Sequence, residues 1–278
     1  MKYSWTLRYV VSTMTALLLL VAIGQAQEAS ETDLRKEVQN PVGSLTKVTF
    51  ANIFDLDAGA LNRNSYVLQT QTVAPFHLTG SWLVVPTIIV NAPRYQPDSV
   101  AGGTTGFGDS SPRVFLSPAR VGKVIWGVGP TFLLPTATRT DTGQGKWGLG
   151  PAVGAFMQPK WGTIGFTVVN TWSVAGDSNR PKVNKMALQP TAQYNLPENW
   201  YLTTEPEIDA NWNAANGNRW FVPVGGGAGK VFKVGRQSLA GTVLVYRNVT
   251  PAATIPSPKW QVIGALTFLF PRGKSESR

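Results

Sequence analysis

The sequence predicts an all-β protein, a transmembrane up-and-down antiparallel β-barrel of about 12 strands, and three observations carry that reading. Segments of roughly 9 to 14 residues rich in Val, Ile, Thr, Phe, Tyr and Trp recur, separated by clusters of Gly, Pro, Asn or Asp. Several of them alternate with a period of two: in "TIGFTVVNTW", Ile164, Phe166, Val168 and Trp172 stand against Thr163, Gly165, Thr167 and Thr171. The links between segments take turns in length. "HLTG", "SPARVGK", "PKWG", "LPEN" and "KVGRQ" are tight, whereas 92–104, 137–147, 176–182 and 250–258 are longer and polar. Tight periplasmic turns opposite larger external loops are the asymmetry of outer-membrane barrels.

From the N-terminus, Lys2 and Arg8 form a basic region ahead of the apolar stretch "YVVSTMTALLLLVAIG", and "GQA" before Gln27 supplies small residues, so 1–26 reads as a secretory signal peptide. The polar segment 27–47 reads as a periplasmic N-terminal extension, mobile or helical. The barrel is expected over 48–270, with a polar C-terminal tail at 271–278. Its strands are expected at 48–57, 64–76, 81–92, 105–117, 122–136, 148–159, 162–175, 183–195, 199–212, 219–232, 238–249 and 259–270. Such lengths suit a tilted crossing of a bilayer. Segment "SWLVVPTIIVNA" does not alternate, and Pro86, Pro130, Pro190, Pro206 and Pro223 fall inside expected strands, where a missing N–H is costly. Trp82, Trp126, Trp161, Trp172, Trp200, Trp212, Trp220 and Trp260 lie near strand ends, as a headgroup girdle requires.

Composition agrees with export into a membrane. Only 14% of the 278 residues are charged, against about 25% in ordinary soluble domains. There is no Cys, which removes disulfides, thiolate metal sites and a lipid-bearing N-terminal Cys, and the single His, His77, removes chemistry that needs paired imidazoles. After the leader no further run of about 18 apolar residues occurs, so no spanning helix is expected.

The stretch "YLTTEPEIDANW" puts Glu205, Glu207 and Asp209 on every second residue. In a barrel strand, Trp200, Leu202, Pro206, Ile208 and Ala210 then face lipid, and Thr203, Glu205, Glu207, Asp209 and Asn211 face the lumen. Slipping by one residue would push three carboxylates into hydrocarbon at up to a few kcal/mol each near the midplane. The neighbouring "MALQPTAQYNL" turns Gln189 and Gln193 the same way as those acids. These seven residues, Thr203, Glu205, Glu207, Asp209, Asn211, Gln189 and Gln193, are the candidate pore lining, with the acids as wall charges paired to lumen Lys and Arg.

Catalysis has little support. Two acids could sit at a glycosidase separation, but nothing else accompanies them, and a barrel phospholipase needs a Ser activated by His, whereas His77 falls in a tight link. "GGGAGKV" and "GQGKWG" lack the Ser or Thr that follows Lys in a phosphate loop. No catalytic residue, cofactor or metal site is expected, and the chain is not read as an enzyme. The formal charge of +10 is scattered rather than clustered among aromatics, which argues against nucleic acid. The expected partners are a small-molecule solute, outer-membrane lipid and lipopolysaccharide.

As a set, "WGVGPTFLLPTATRTDTGQGKWGLGPA", "NTWSVAG", "LQPTAQY", "YLTTEPEIDANW" and "VPVGGGAGKVFKVG" resemble the bacterial MetA-pathway of phenol degradation family, often mislabelled neuromedin U. The resemblance runs from about Leu61 to Pro271. It implies an outer-membrane barrel that moves small compounds, aromatic or hydrophobic ones among them, with no catalytic residues to carry over, and the recurring prolines belong to its motifs. One departure is the tail "PRGKSESR" after Phe270, since typical barrels finish on an aromatic residue. The expected function is passive diffusion of small solutes through a charged lumen. A non-transporting structural or adhesive barrel is the alternative, and a soluble ligand-binding β-sandwich a third.

Overall fold

A computed structural model describes residues 35, 38, 39, 45–58, 62–97, 102–120, 122–215, 217–250 and 257–270, with the side chains of 94, 96 and 97 left undescribed. The expected leader and C-terminal tail lie outside those residues. In chain order the strands are β1 (Thr46–Ala58), β2 (Arg63–Val73), β3 (Phe76–Thr79), β4 (Trp82–Pro97), β5 (Gly103–Gly106), β6 (Arg113–Pro118), β7 (Ile125–Leu133) and β8 (Lys146–Met157). They continue as β9 (Gly162–Gly176), β10 (Asn184–Asn195), β11 (Trp200–Thr204), β12 (Ile208–Asn211), β13 (Trp220–Phe221), β14 (Pro223–Val234), β15 (Gln237–Asn248) and β16 (Trp260–Phe270).

Every strand pairs antiparallel with its neighbours, and β16 pairs with β1 in unbroken register from Thr46↔Phe270 to Leu56↔Trp260, which closes the sheet on itself. Because β11 with β12, and β13 with β14, each make one interrupted wall strand, the wall has the twelve expected crossings. The first begins at Thr46, two residues before its expected start. The fourth departs most from expectation. Gly103–Gly106 folds back onto β4, and only Arg113–Pro118 crosses as β6.

Side-chain alternation sorts the two faces. Ile164, Phe166, Leu202, Val243, Val245 and Leu266 are exposed on the outer face, as lipid-facing positions are. Trp82, Trp126, Trp161 and Trp200 stand at the tight-turn ends of their strands. Trp147, Trp172, Trp212, Trp220 and Trp260 stand at the opposite ends, and all nine are between 36% and 50% exposed, which makes two girdles rather than a core. Cations sit over some of these rings: Lys230 over Trp200 at 5.1 Å, Arg247 over Trp260 at 5.6 Å and Arg219 over Trp212 at 5.8 Å.

The prolines find places where the ladder is already interrupted. Pro130 and Pro151 face each other across β7 and β8, while the register of β7 with β6 is carried only by Arg113↔Thr131 and Leu116↔Val128. Pro190 keeps its register with Phe166 of β9, and its other side faces the break between β11 and β12, where Pro206 lies. Missing N–H groups are thus concentrated at a few shared gaps instead of being scattered through the wall.

At the long-loop end the links are tied together. The Asp109 carboxylate accepts from the Ala137 N–H at 3.2 Å and the Gln144 N–H at 2.5 Å. The Arg180 guanidinium donates to the carbonyls of Thr140, at 2.9 Å, and Gly143. These bonds hold 134–145 against its neighbours and fix the outer rim.

Candidate functional site

The lumen is the candidate site, and its acids come from the interrupted ninth wall strand. Register with β10 is the same on both sides of the interruption: Gln193↔Thr203 pairs β11, and Ala187↔Asp209 pairs β12. Thr203, Glu205, Glu207, Asp209 and Asn211 therefore lie on one face of the sheet with Gln193 and Gln189. Thr203 and Gln193 are buried, at 4% and 8% exposure. Glu205, Asn211 and Gln189 are half-buried, and Glu207 is exposed.

Counter-charges arrive from other strands, and the expectation had not named them. Lys185 on β10 donates to Asp209 at 2.8 Å. Arg113, on β6, interacts electrostatically with Glu207 from across the barrel, and Lys47 on β1 does the same with Glu205. Strict alternation in "RVFLS" would have placed Arg113, Phe115 and Ser117 inside. Nothing in the sequence says that Arg113 meets Glu207, because that pairing depends on the curvature of the closed sheet.

The rest of the inner face corrects the expectation of a polar lumen. Val73, Leu83, Val85, Phe115, Ile125, Ala152, Phe156 and Val169 form one packed cluster on the inner face of β2, β4 and β6 through β9. This explains why "SWLVVPTIIVNA" fails to alternate: Leu83, Val85 and Ile89 are buried inside while Val84, Pro86 and Ile88 face out, so both faces of β4 are apolar. The glycines of "GGGAGKV" are inner-wall or neighbour-contact positions on β14. Gly229 leaves room for the Tyr201 ring, whose Cζ and Oη an added Cβ would overlap.

The described N-terminal residues sit inside the tight-turn end rather than apart from the barrel. Arg35 donates to the Leu196 carbonyl at 2.8 Å, and Gln39 donates to Asn195 Oδ1 at 3.0 Å. Thr163 donates to Gln39 Oε1 at 3.1 Å, and Lys47 donates to the Val38 carbonyl at 3.2 Å. Leu45 packs with Tyr201, Val231, Ala240 and Leu269, all inner-face residues, and Val38 lies against them. That end of the lumen is occupied by packed side chains.

His77 is exposed on β3, opposite Leu83. Among the described residues no group of three or more His, Asp or Glu could hold a metal ion. The arrangement sets an apolar wall across from a charged one.

Fold and lumen together define the chain as a closed outer-membrane-type β-barrel. It matches no family model and no curated protein. Among solved structures, it is similar to the COG4313 outer membrane channel from Pseudomonas putida F1, with a TM-score of 0.61 and 15% identity over 82% of this chain and 96% of that one. Outer membrane phospholipase A from Escherichia coli aligns over 88% and 99% of the two chains at 11% identity and a TM-score of 0.43. At 15% identity the likeness to the Pseudomonas putida channel shows the fold.

Proposed function

We propose that this chain is an outer-membrane channel that lets small solutes, aromatic or hydrophobic ones among them, diffuse passively through its lumen. The observation that supports this most is the two-sided lumen. Opposite the packed apolar cluster around Val85, Phe115 and Phe156, the row Glu205, Glu207 and Asp209 with Arg113 and Lys185 offers polar partners. The exposure of Glu207 supports a lumen that small molecules reach. Passage through the tight-turn end requires Arg35, Val38 and Gln39 to release their inner-wall partners, so the channel is gated there.

The aromatic girdles and their cations favour lipid and lipopolysaccharide as the surroundings, with Arg247 over Trp260 at the long-loop boundary beside the level of the phosphate groups. Planar-bilayer recording and liposome swelling test the proposal: conductance and sugar flux are expected, and both should rise in the Arg35→Ala/Gln39→Ala variant. Absence of both in the parent and the variant overturns it. The packed tight-turn end favours the second reading, a non-transporting structural or adhesive barrel, which that null result would support.

A further inference from the structure

The acids Glu205, Glu207 and Asp209 and the bases Lys47, Arg113 and Lys185 are not matched alike. Asp209 holds Lys185 at 2.8 Å, and Glu205 has the attraction of Lys47. Glu207 and Arg113 are the pair that remains. Each feels the other's charge, yet no hydrogen bond or ion pair joins either side chain to any of the described residues.

Arg113 is placed by the sheet. It stands in register with Thr87 on β4 and Thr131 on β7, and both threonines are buried, at 5% and 2% exposure. Phe115, next along the same face of β6, is locked into the apolar cluster. Arg113 Nε is enclosed in these surroundings and meets no acceptor. A guanidinium held this way loses hydration without gaining a protein partner, which is costly. Its planar fork of N–H donors matches a carboxylate.

Glu207 is exposed on the facing wall. The backbone just before it is tied on both sides: Tyr246 Oη accepts from the Glu205 N–H at 3.0 Å, and Gln189 Nε2 donates to the Glu205 carbonyl at 3.3 Å. Both charges are therefore carried on anchored backbone.

Opposite charges on facing walls set a field across the lumen rather than along it. An anion gains at Arg113 but meets the acid row, and a cation gains at Glu207 but meets Arg113. A molecule with both charges gains at both walls.

We propose that Arg113 and Glu207 form a binding site for a small zwitterion, whose carboxylate seats on the Arg113 fork while its ammonium group turns to Glu207. The inference rests on the channel reading for how solute reaches the lumen, and it names a solute class within that reading.

Three probes with the same ring and two-carbon spacer separate the charges. L-phenylalanine carries both, 3-phenylpropanoate only the carboxylate, and 2-phenylethylammonium only the ammonium. Binding of each to the purified barrel is measured by titration calorimetry at neutral pH and low salt, and arabinose and phenylalanine flux into liposomes is measured in parallel. Heat-dependent gel mobility checks that each variant is folded.

Phenylalanine is expected to bind about tenfold more tightly than either analogue, the worth of one hydrogen bond to a charged group. Arg113→Gln should lower it to the level of 2-phenylethylammonium, and Glu207→Gln to that of 3-phenylpropanoate. The exchange Arg113→Glu/Glu207→Arg keeps the pair in reverse and is expected to recover zwitterion binding. Equal affinity for the three probes, tighter binding of a single-charge analogue, no phenylalanine binding by the folded parent, or phenylalanine binding untouched by Glu207→Gln overturns the site. Phenylalanine binding with this pattern but no flux of any solute keeps the site and overturns only the diffusion channel. Arabinose flux without phenylalanine binding does the reverse.

Discussion

The two halves of the inner wall hold the barrel together by different means. On β2, β4 and β6 through β9 the lumen side is a packed apolar cluster, with Val85 at 0% and Phe156 at 3% exposure. On β10 through β12 it is a row of acids at an interrupted strand, held by the Lys185–Asp209 pair and by side chains that replace ladder bonds. The difference teaches that the first half works as scaffold through close packing and continuous pairing. The second half gives up pairing and keeps its polar groups beside counter-charges, which limit the cost of burying them.

The sharpest test of that division is Phe156→Ala. It removes a ring from the packed half and is expected to cost about 3–5 kcal/mol in reversible unfolding while leaving ion selectivity unchanged. A loss below about 1 kcal/mol would show that the cluster is not a packed core. The outer face should be indifferent to the division. Val153→Arg on β8 and Val243→Arg on β15 are each expected to cost about 2–4 kcal/mol in lipid, and a clear difference between them would mean that one is not at membrane depth.

On the charged half, Tyr246→Phe leaves the Glu205 N–H without its partner at 3.0 Å. The expected loss is about 1–3 kcal/mol, with increased hydrogen exchange confined to 204–208. Smallest is Asp209→Asn. Because Lys185 is 49% exposed, the pair is expected to contribute only about 0–1 kcal/mol to stability. The same change should still lower the cation-to-anion permeability ratio in a reversal-potential measurement, and it should do so in the same direction as Glu205→Gln/Glu207→Gln.

Much of the wall was legible in the residues. The alternation in "TIGFTVVNTW" and "YLTTEPEIDANW" assigned the outer face of Phe166 and Leu202 and the inner face of Thr203 and Glu205, because a period of two leaves one register that keeps carboxylates out of lipid. Recurring strand-like segments set the strand count, and link lengths told the two ends of the barrel apart. The apolar half of the lumen was not legible, since a strand such as "SWLVVPTIIVNA" is greasy on both faces and periodicity cannot say which of them meets other side chains. Gln39 gave no signal either: its bonds to Asn195 and Thr163 join residues more than a hundred positions apart.

What the sequence by itself determined is therefore local and periodic: twelve crossings, two aromatic girdles, and which side of each strand can tolerate hydrocarbon. These follow from the pleat and from the cost of burying charge, which act within one strand. Only the closed tertiary structure decided that Arg113 faces Glu207, that Lys47 faces Glu205, that Leu45 packs against Tyr201, and that Pro190 and the Pro206 break share one gap. Those juxtapositions depend on the curvature and register of the closed sheet, which bring distant strands across a common lumen and leave no trace in any single segment.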